Sequence, residues 1–104
     1  MSDPILTPDQ FRARLAETGG KVIDVRTPAE YAEGHLDGAP NLDVLAPSFA
    51  ARAADLPREA TYFLYCRSGG RSGQAAQILR QMGLHAHNVG GYDALAAAGF
   101  PTDR

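Results

Sequence analysis

The chain has 104 residues, 44% of them hydrophobic and 21% charged, with a net charge of −2 and a single cysteine. One domain over residues 1–104 is expected, long enough for a genuine core without disulfide or metal staples. The slightly acidic balance excludes a bulk electrostatic partner such as nucleic acid or an anionic membrane, so any attraction for anions must be local. No apolar run reaches the ~20 residues of a membrane span, and Met1-Ser2-Asp3-Pro4 has no signal-peptide pattern. A reducing cytoplasm is the expected compartment, and it suits a free thiol.

In chain order, the apolar pair Ile5-Leu6 precedes Thr7-Pro8-Asp9-Gln10. That quartet has the pattern of a capping box with proline at the first helical position. Phe11 and Leu15 share a helical face, and Gly19-Gly20 stops the helix. Val22-Ile23-Asp24-Val25 reads as a buried strand interrupted by one acid. Thr27-Pro28-Ala29-Glu30 is a second capping box, opening a short helix through Tyr31 that Gly34 ends. Gly38 to Leu42 reads as a turn with a brief strand. Pro47 to Leu56 reads as a third helix with Phe49, Ala53 and Leu56 on one side.

Tyr62-Phe63-Leu64-Tyr65-Cys66 is an apolar run with the character of a buried strand. A loop of glycines and two arginines follows, and Ala75, Ile78, Leu79 and Met82 then recur at helical spacing up to Gly83. His85 to Val89 is a further, less apolar strand. Gly90-Gly91 opens a last helix over Ala94, Leu95 and Ala98, closed by Gly99-Phe100-Pro101. Strands alternating with helices imply an α/β domain around a mainly parallel sheet. Ligands of such sheets bind beyond the carboxyl ends of the strands, which is where Cys66 falls.

Strand, tight loop and helix aim backbone N–H groups and the positive end of a helix dipole at the loop's occupant. Here the occupant is a thiol. Helix N-termini and nearby arginine lower a thiol's pKa from about 8.5 to between roughly 3.5 and 7.5. Cys66 therefore reads as a nucleophile in an anion cradle, not as a structural cysteine. Arg67 and Arg71 read as recruiters of an anionic substrate. Asp24 and Arg26 read as an ion pair that fixes the fold, and His35 as a turn histidine satisfied by backbone. His85 and His87 share a strand face but have no cysteine or carboxylate cluster beside them, so no metal and no cofactor are expected.

Three segments together resemble the single-domain rhodaneses, the thiosulfate sulfurtransferase family. They are Val22-Ile23-Asp24-Val25-Arg26 with Glu30-Tyr31 and Gly34 to Ala39; Tyr65-Cys66-Arg67-Ser68-Gly69-Gly70-Arg71-Ser72; and Val89-Gly90-Gly91 leading to Gly99-Phe100-Pro101. Members often carry Trp in the last helix, where this chain has Tyr92 and Leu95. The resemblance implies a three-layer α/β domain, a five-stranded parallel sheet with helices on both faces. It implies Cys66 as the catalytic residue, taking a sulfane sulfur from thiosulfate or a related donor and holding it as a persulfide. Arg67, Ser68, Gly69, Gly70, Arg71 and Ser72 would form the substrate-binding loop. The implied partners are a small anionic sulfur donor and a thiol or cyanide acceptor, with a thioredoxin-like or sulfur-relay protein as a physiological candidate.

Two other readings stand beside this one. A phosphatase or arsenate reductase would use the same cysteine, amides and arginine to cradle an oxyanion. Those families resemble Cys followed by five residues and then Arg, whereas four residues separate Cys66 from Arg71. A non-catalytic binding module would keep the fold, but such modules typically lack the cysteine or scramble the loop.

Overall fold

The computed structural model describes residues 4–104. Its elements run α1 (Pro8–Thr18), β1 (Lys21–Asp24), α2 (Pro28–Glu33), β2 (His35–Leu36), α3 (Phe49–Ala54), β3 (Thr61–Cys66), α4 (Gly70–Gln81), β4 (His85–Gly91), α5 (Tyr92–Ala97) and β5 (Thr102–Asp103). Strand β3 is central, with β1 and β4 parallel to it on either side. Its residues from Tyr62 to Cys66 are all buried, as an apolar run covered on both faces requires.

Successive side chains of a strand point to opposite faces, and β3 divides its residues accordingly. Tyr62, Leu64 and Cys66 join Phe49 and Ala53 of α3 and Ala75, Ala76 and Leu79 of α4 in one core. Phe63 and Tyr65 join Phe11 of α1 and Leu95 of α5 in the other. The result is three layers, with Cys66 directed toward α4. That parity places the thiol under the start of the following helix.

Both expected capping boxes form. The Thr7 and Thr27 side chains accept from the N–H groups of Gln10 and Glu30, whose side chains accept in return from the threonine N–H groups. Helix α3 is shorter than the expected Pro47 to Leu56. Ser48 makes no side-chain cap there, so only the turn that buries Phe49 and Ala53 is held by packing.

The strand count differs from the five-stranded parallel sheet that the resemblance implies. There are five strands in two sheets, three parallel and two, β2 and β5, forming a separate antiparallel pair. At the edges of the parallel sheet, Ile5 bridges Asn88 and Asn41 bridges Asp24, each as a single parallel bridge. Pro4 and Pro8 flank the first bridge and Pro40 precedes the second. Proline has no N–H to extend a ladder, so these edges stay one residue long. Among the described residues, no helix is long and apolar enough to cross a membrane.

Candidate active site

Gly69 sits at φ 104° as the N-cap of α4, in a region that residues with a Cβ enter only at a cost. This turn folds the loop back over the end of β3. The Gly69 N–H lies 3.0 Å from Cys66 Sγ, and the Ser72 hydroxyl lies 3.3 Å from it. Cys66 is only 1% exposed. Burial pushes its thiol pKa up, but the Ser72 hydroxyl and the amides of Ser72, Ser68 and Gly69 outweigh that and leave it lowered. Hydrogen bonds aimed at the sulfur lead the acidifying influences.

The two loop arginines occupy different settings. Arg71 makes a two-pronged ion pair with Glu30, Nη1 to Oε1 at 2.7 Å and Nη2 to Oε2 at 3.0 Å. Its charge is already compensated, and the pair ties the start of α4 to α2. Arg67 is exposed and has no ion pair among the described residues. It lines a cleft of about 250 Å³ together with Arg26, Glu30, Glu33, Tyr92 and Asp93. Ser68, Gly69 and Gly70 face a separate hollow of about 350 Å³ beside Gln74 and Gln77.

Asp24 and Arg26 are buried together, with Arg26 Nη2 2.7 Å from Asp24 Oδ2. Arg26 also donates to the Gly34 carbonyl at 2.5 Å and lies 4.5 Å from the centre of the Tyr92 ring. The pair joins β1, the end of α2 and the start of α5, and its arginine forms one wall of the cleft. Tyr92, at the start of α5, is stacked on Tyr65 with ring centres 6.1 Å apart. His35 is half-buried in β2, where its Nδ1–H donates to the Tyr31 carbonyl at 3.0 Å. It is a strand residue instead of the expected turn residue, though backbone does satisfy its ring. No group of three or more metal-ligating side chains occurs among the described residues.

Glu30 enters the sequence reading as a capping residue and as part of the first resembling segment, without a partner for Arg71, and Asn88 does not enter it. Asn88 is 2% exposed, and its carboxamide bonds to both Gly69 and Ser72. Its signal was a polar side chain inside a strand that has to be buried. Nothing in the sequence linked Glu30 to Arg71, 41 residues away.

The ion pair predicts a pH dependence. Arg71 pulls the Glu30 pKa down, burial opposes this and Thr27 assists, so it falls from 4.5 to about 2. A depressed folded-state pKa contributes stability above the unfolded value that is lost as pH falls through the folded one. Allowing for partial exposure, the contribution is on the order of 2 kcal/mol. Glu30→Gln keeps the cap but breaks the pair, so it should destabilise at neutral pH by about that amount. The gap from wild type should close as pH falls from about 4.5 toward 2, and urea unfolding at several pH values would measure it.

The chain matches the rhodanese-like domain family over residues 7–98. The chain belongs to the rhodanese-like family. It is 40% identical over 97 residues to a sulfurtransferase of Allochromatium vinosum, covering 89% of this chain and 88% of that one. It is 37% identical over 75 residues to thiosulfate sulfurtransferase PspE of Escherichia coli, covering 71% and 72%. A solved structure described as rhodanese with anions from E. coli superposes with a TM-score of 0.69 at 32% identity, covering 82% of this chain and 98% of that one. This rhodanese-like chain is accordingly an enzyme of the sulfurtransferase class.

Proposed function

We propose that Cys66 carries a sulfane sulfur from a small anionic donor, with thiosulfate as the reference substrate, to a thiophilic acceptor. The observation that carries this reading is a sulfur at a helix N-terminus with an amide at 3.0 Å and a hydroxyl at 3.3 Å. The thiolate attacks the outer sulfur of thiosulfate, the S–S bond of the donor breaks, and sulfite leaves with the electron pair. Loop amides then hold the negative outer sulfur of the persulfide without reorganising. Cyanide or a thiolate attacks that outer sulfur, and Cys66 leaves as thiolate, so charge and electrons balance over the cycle. No general base is required, because the loop has already acidified the thiol. A reducing, cytoplasmic setting would keep Cys66 available, and a thioredoxin-like protein is a suitable natural acceptor.

The geometry disfavours a phosphatase or arsenate reductase. A transferring phosphoryl group needs donors for three equatorial oxygens, and Arg71, the expected clamp, is held by Glu30. The test is intact mass after incubation with thiosulfate, with one added sulfur expected and its removal by cyanide. An unchanged mass, together with faster hydrolysis of an aryl phosphate by the same preparation, would replace this reading with the oxyanion one.

Arg67 should act by attraction at the cleft mouth. Arg67→Ala should raise KM for thiosulfate roughly three- to tenfold at low ionic strength, with kcat nearly unchanged and the effect fading at high salt. A salt-independent loss confined to kcat would assign Arg67 a different role.

A further inference from the structure

Behind the sulfur cradle, Asn88 of β4 makes three hydrogen bonds with its carboxamide while almost wholly buried. Nδ2–H donates to the Gly69 carbonyl at 2.9 Å. Oδ1 accepts from the Gly90 N–H at 3.0 Å and from the Ser72 hydroxyl at 2.7 Å. Gly90 N–H can only donate and Gly69 C=O can only accept, so the carboxamide has one possible orientation. The Ser72 oxygen also lies 3.3 Å from Cys66 Sγ. One hydroxyl proton therefore has two acceptors, Asn88 Oδ1 and the sulfur.

The two acceptors cannot be served together. With Cys66 as a thiol, S–H donates to the Ser72 oxygen and the hydroxyl donates to Asn88. With Cys66 as a thiolate, the sulfur has no proton, and the contact is favourable only when the hydroxyl turns to it. Asn88 Oδ1 then still holds the Gly90 N–H, so no buried acceptor is orphaned in either state. We propose that Asn88 is a positioning residue that docks the Ser72 hydroxyl as a two-position donor. The hydroxyl turns to Sγ when Cys66 carries the charge, and back to Asn88 when the charge moves to the outer sulfur of a persulfide.

This deepens the sulfur-transfer reading and rests on it for the persulfide step. The thiolate step can be tested without any sulfur donor. The charged groups around the thiol are Arg67 in the loop, Arg71 with Glu30 across from it, Asp43 facing Arg71, and the Asp24–Arg26 pair at the end of β1. None of them is altered in the test.

The pH dependence of alkylation by iodoacetamide is measured for wild type, Ser72→Ala, Asn88→Asp and the double variant. A carboxylate at 88 is a stronger acceptor and should hold the hydroxyl away from sulfur. Asn88→Asp should therefore raise the thiol midpoint with Ser72 present by about one pH unit more than it does in the Ser72→Ala background, a tenfold difference in thiolate fraction. Equal shifts in both backgrounds would reduce Asn88 to a bystander charge site and overturn the proposal. If a variant fails to fold, neutron diffraction from deuterium-exchanged wild-type crystals on either side of the midpoint gives the same decision. The Ser72 deuteron should point at Asn88 below the midpoint and at Sγ above it. A deuteron on the Asn88 side at both pH values would overturn the proposal. An unmodified mass after thiosulfate would instead remove the persulfide step and leave the thiolate result standing.

Discussion

Cys66→Ser should reduce sulfur transfer to background, a loss of at least about a thousandfold, while the protein stays folded. The reaction needs an anion at the attacking atom, and the loop is arranged to supply one from a thiol. A serine hydroxyl has a far higher pKa, and the same amides and hydroxyl cannot bring it near neutrality. The substitution is otherwise mild. The site is 1% exposed, the side chain changes by one atom, and Gly69 N–H can donate to oxygen as it does to sulfur. Stability should change by no more than about 1 kcal/mol. Thiocyanate production from thiosulfate and cyanide, with circular dichroism as the folding control, measures both halves. A serine variant that still turned over would mean another group carries the sulfur.

Gly91→Ala should damage stability and rate together, although Gly91 has no side chain to offer the reaction. The register pairs Cys66 with Gly91, and between Leu64 and Cys66 the ladder takes up one extra residue of β4. Such bulges re-aim a strand next to a site. Gly91 consequently lies directly beneath the loop. A Cβ there would fall inside the contact distance of the Arg67 carbonyl oxygen, and lie 3.1 Å from the Arg67 carbonyl carbon and 3.2 Å from Ser68 Cα. All three are backbone atoms, so relief requires the loop itself to move. Overpacking of this kind costs about 1–3 kcal/mol, and a displacement of about 1 Å at the nucleophile can cost on the order of a hundredfold in kcat. Gly90→Ala is the informative partner. Gly90 sits at φ 92° and its Cβ would meet only Ile5 Cγ2, at 3.3 Å. It should lose about 1–2 kcal/mol through backbone strain with a much smaller effect on kcat. Urea unfolding and kcat for the two variants would separate the roles, and wild-type turnover in Gly91→Ala would contradict the supporting contact.

Much of the candidate site was legible because its residues are local in sequence. Cys66, Arg67, Ser68, Gly69, Gly70, Arg71 and Ser72 are consecutive, and a strand followed by a helix leaves few ways to arrange the loop between them. The capping boxes at Thr7 and Thr27 were legible for the same reason, since each closes within four residues. What escaped were the partners of those residues. Arg71 reads in the sequence as a recruiter of an anionic substrate, yet the structure pairs it with Glu30. Gly90-Gly91 reads in the sequence as the opening of the last helix, yet Gly91 is required by the Arg67 backbone across the sheet. The strands β2 and β5 are two residues each and exist only through their pairing, so no periodicity could announce them.

From the sequence alone came the α/β alternation, the central buried strand and the cysteine at its carboxyl end, because period, caps and turns are properties of neighbouring residues. The tertiary structure alone decided which face of β3 Cys66 occupies relative to α4, which arginine stays uncompensated, and which buried amide stands behind Ser72. The last two depend on contacts between residues 16 and 41 positions apart, and the first on how α4 packs over β3, none of which local composition records.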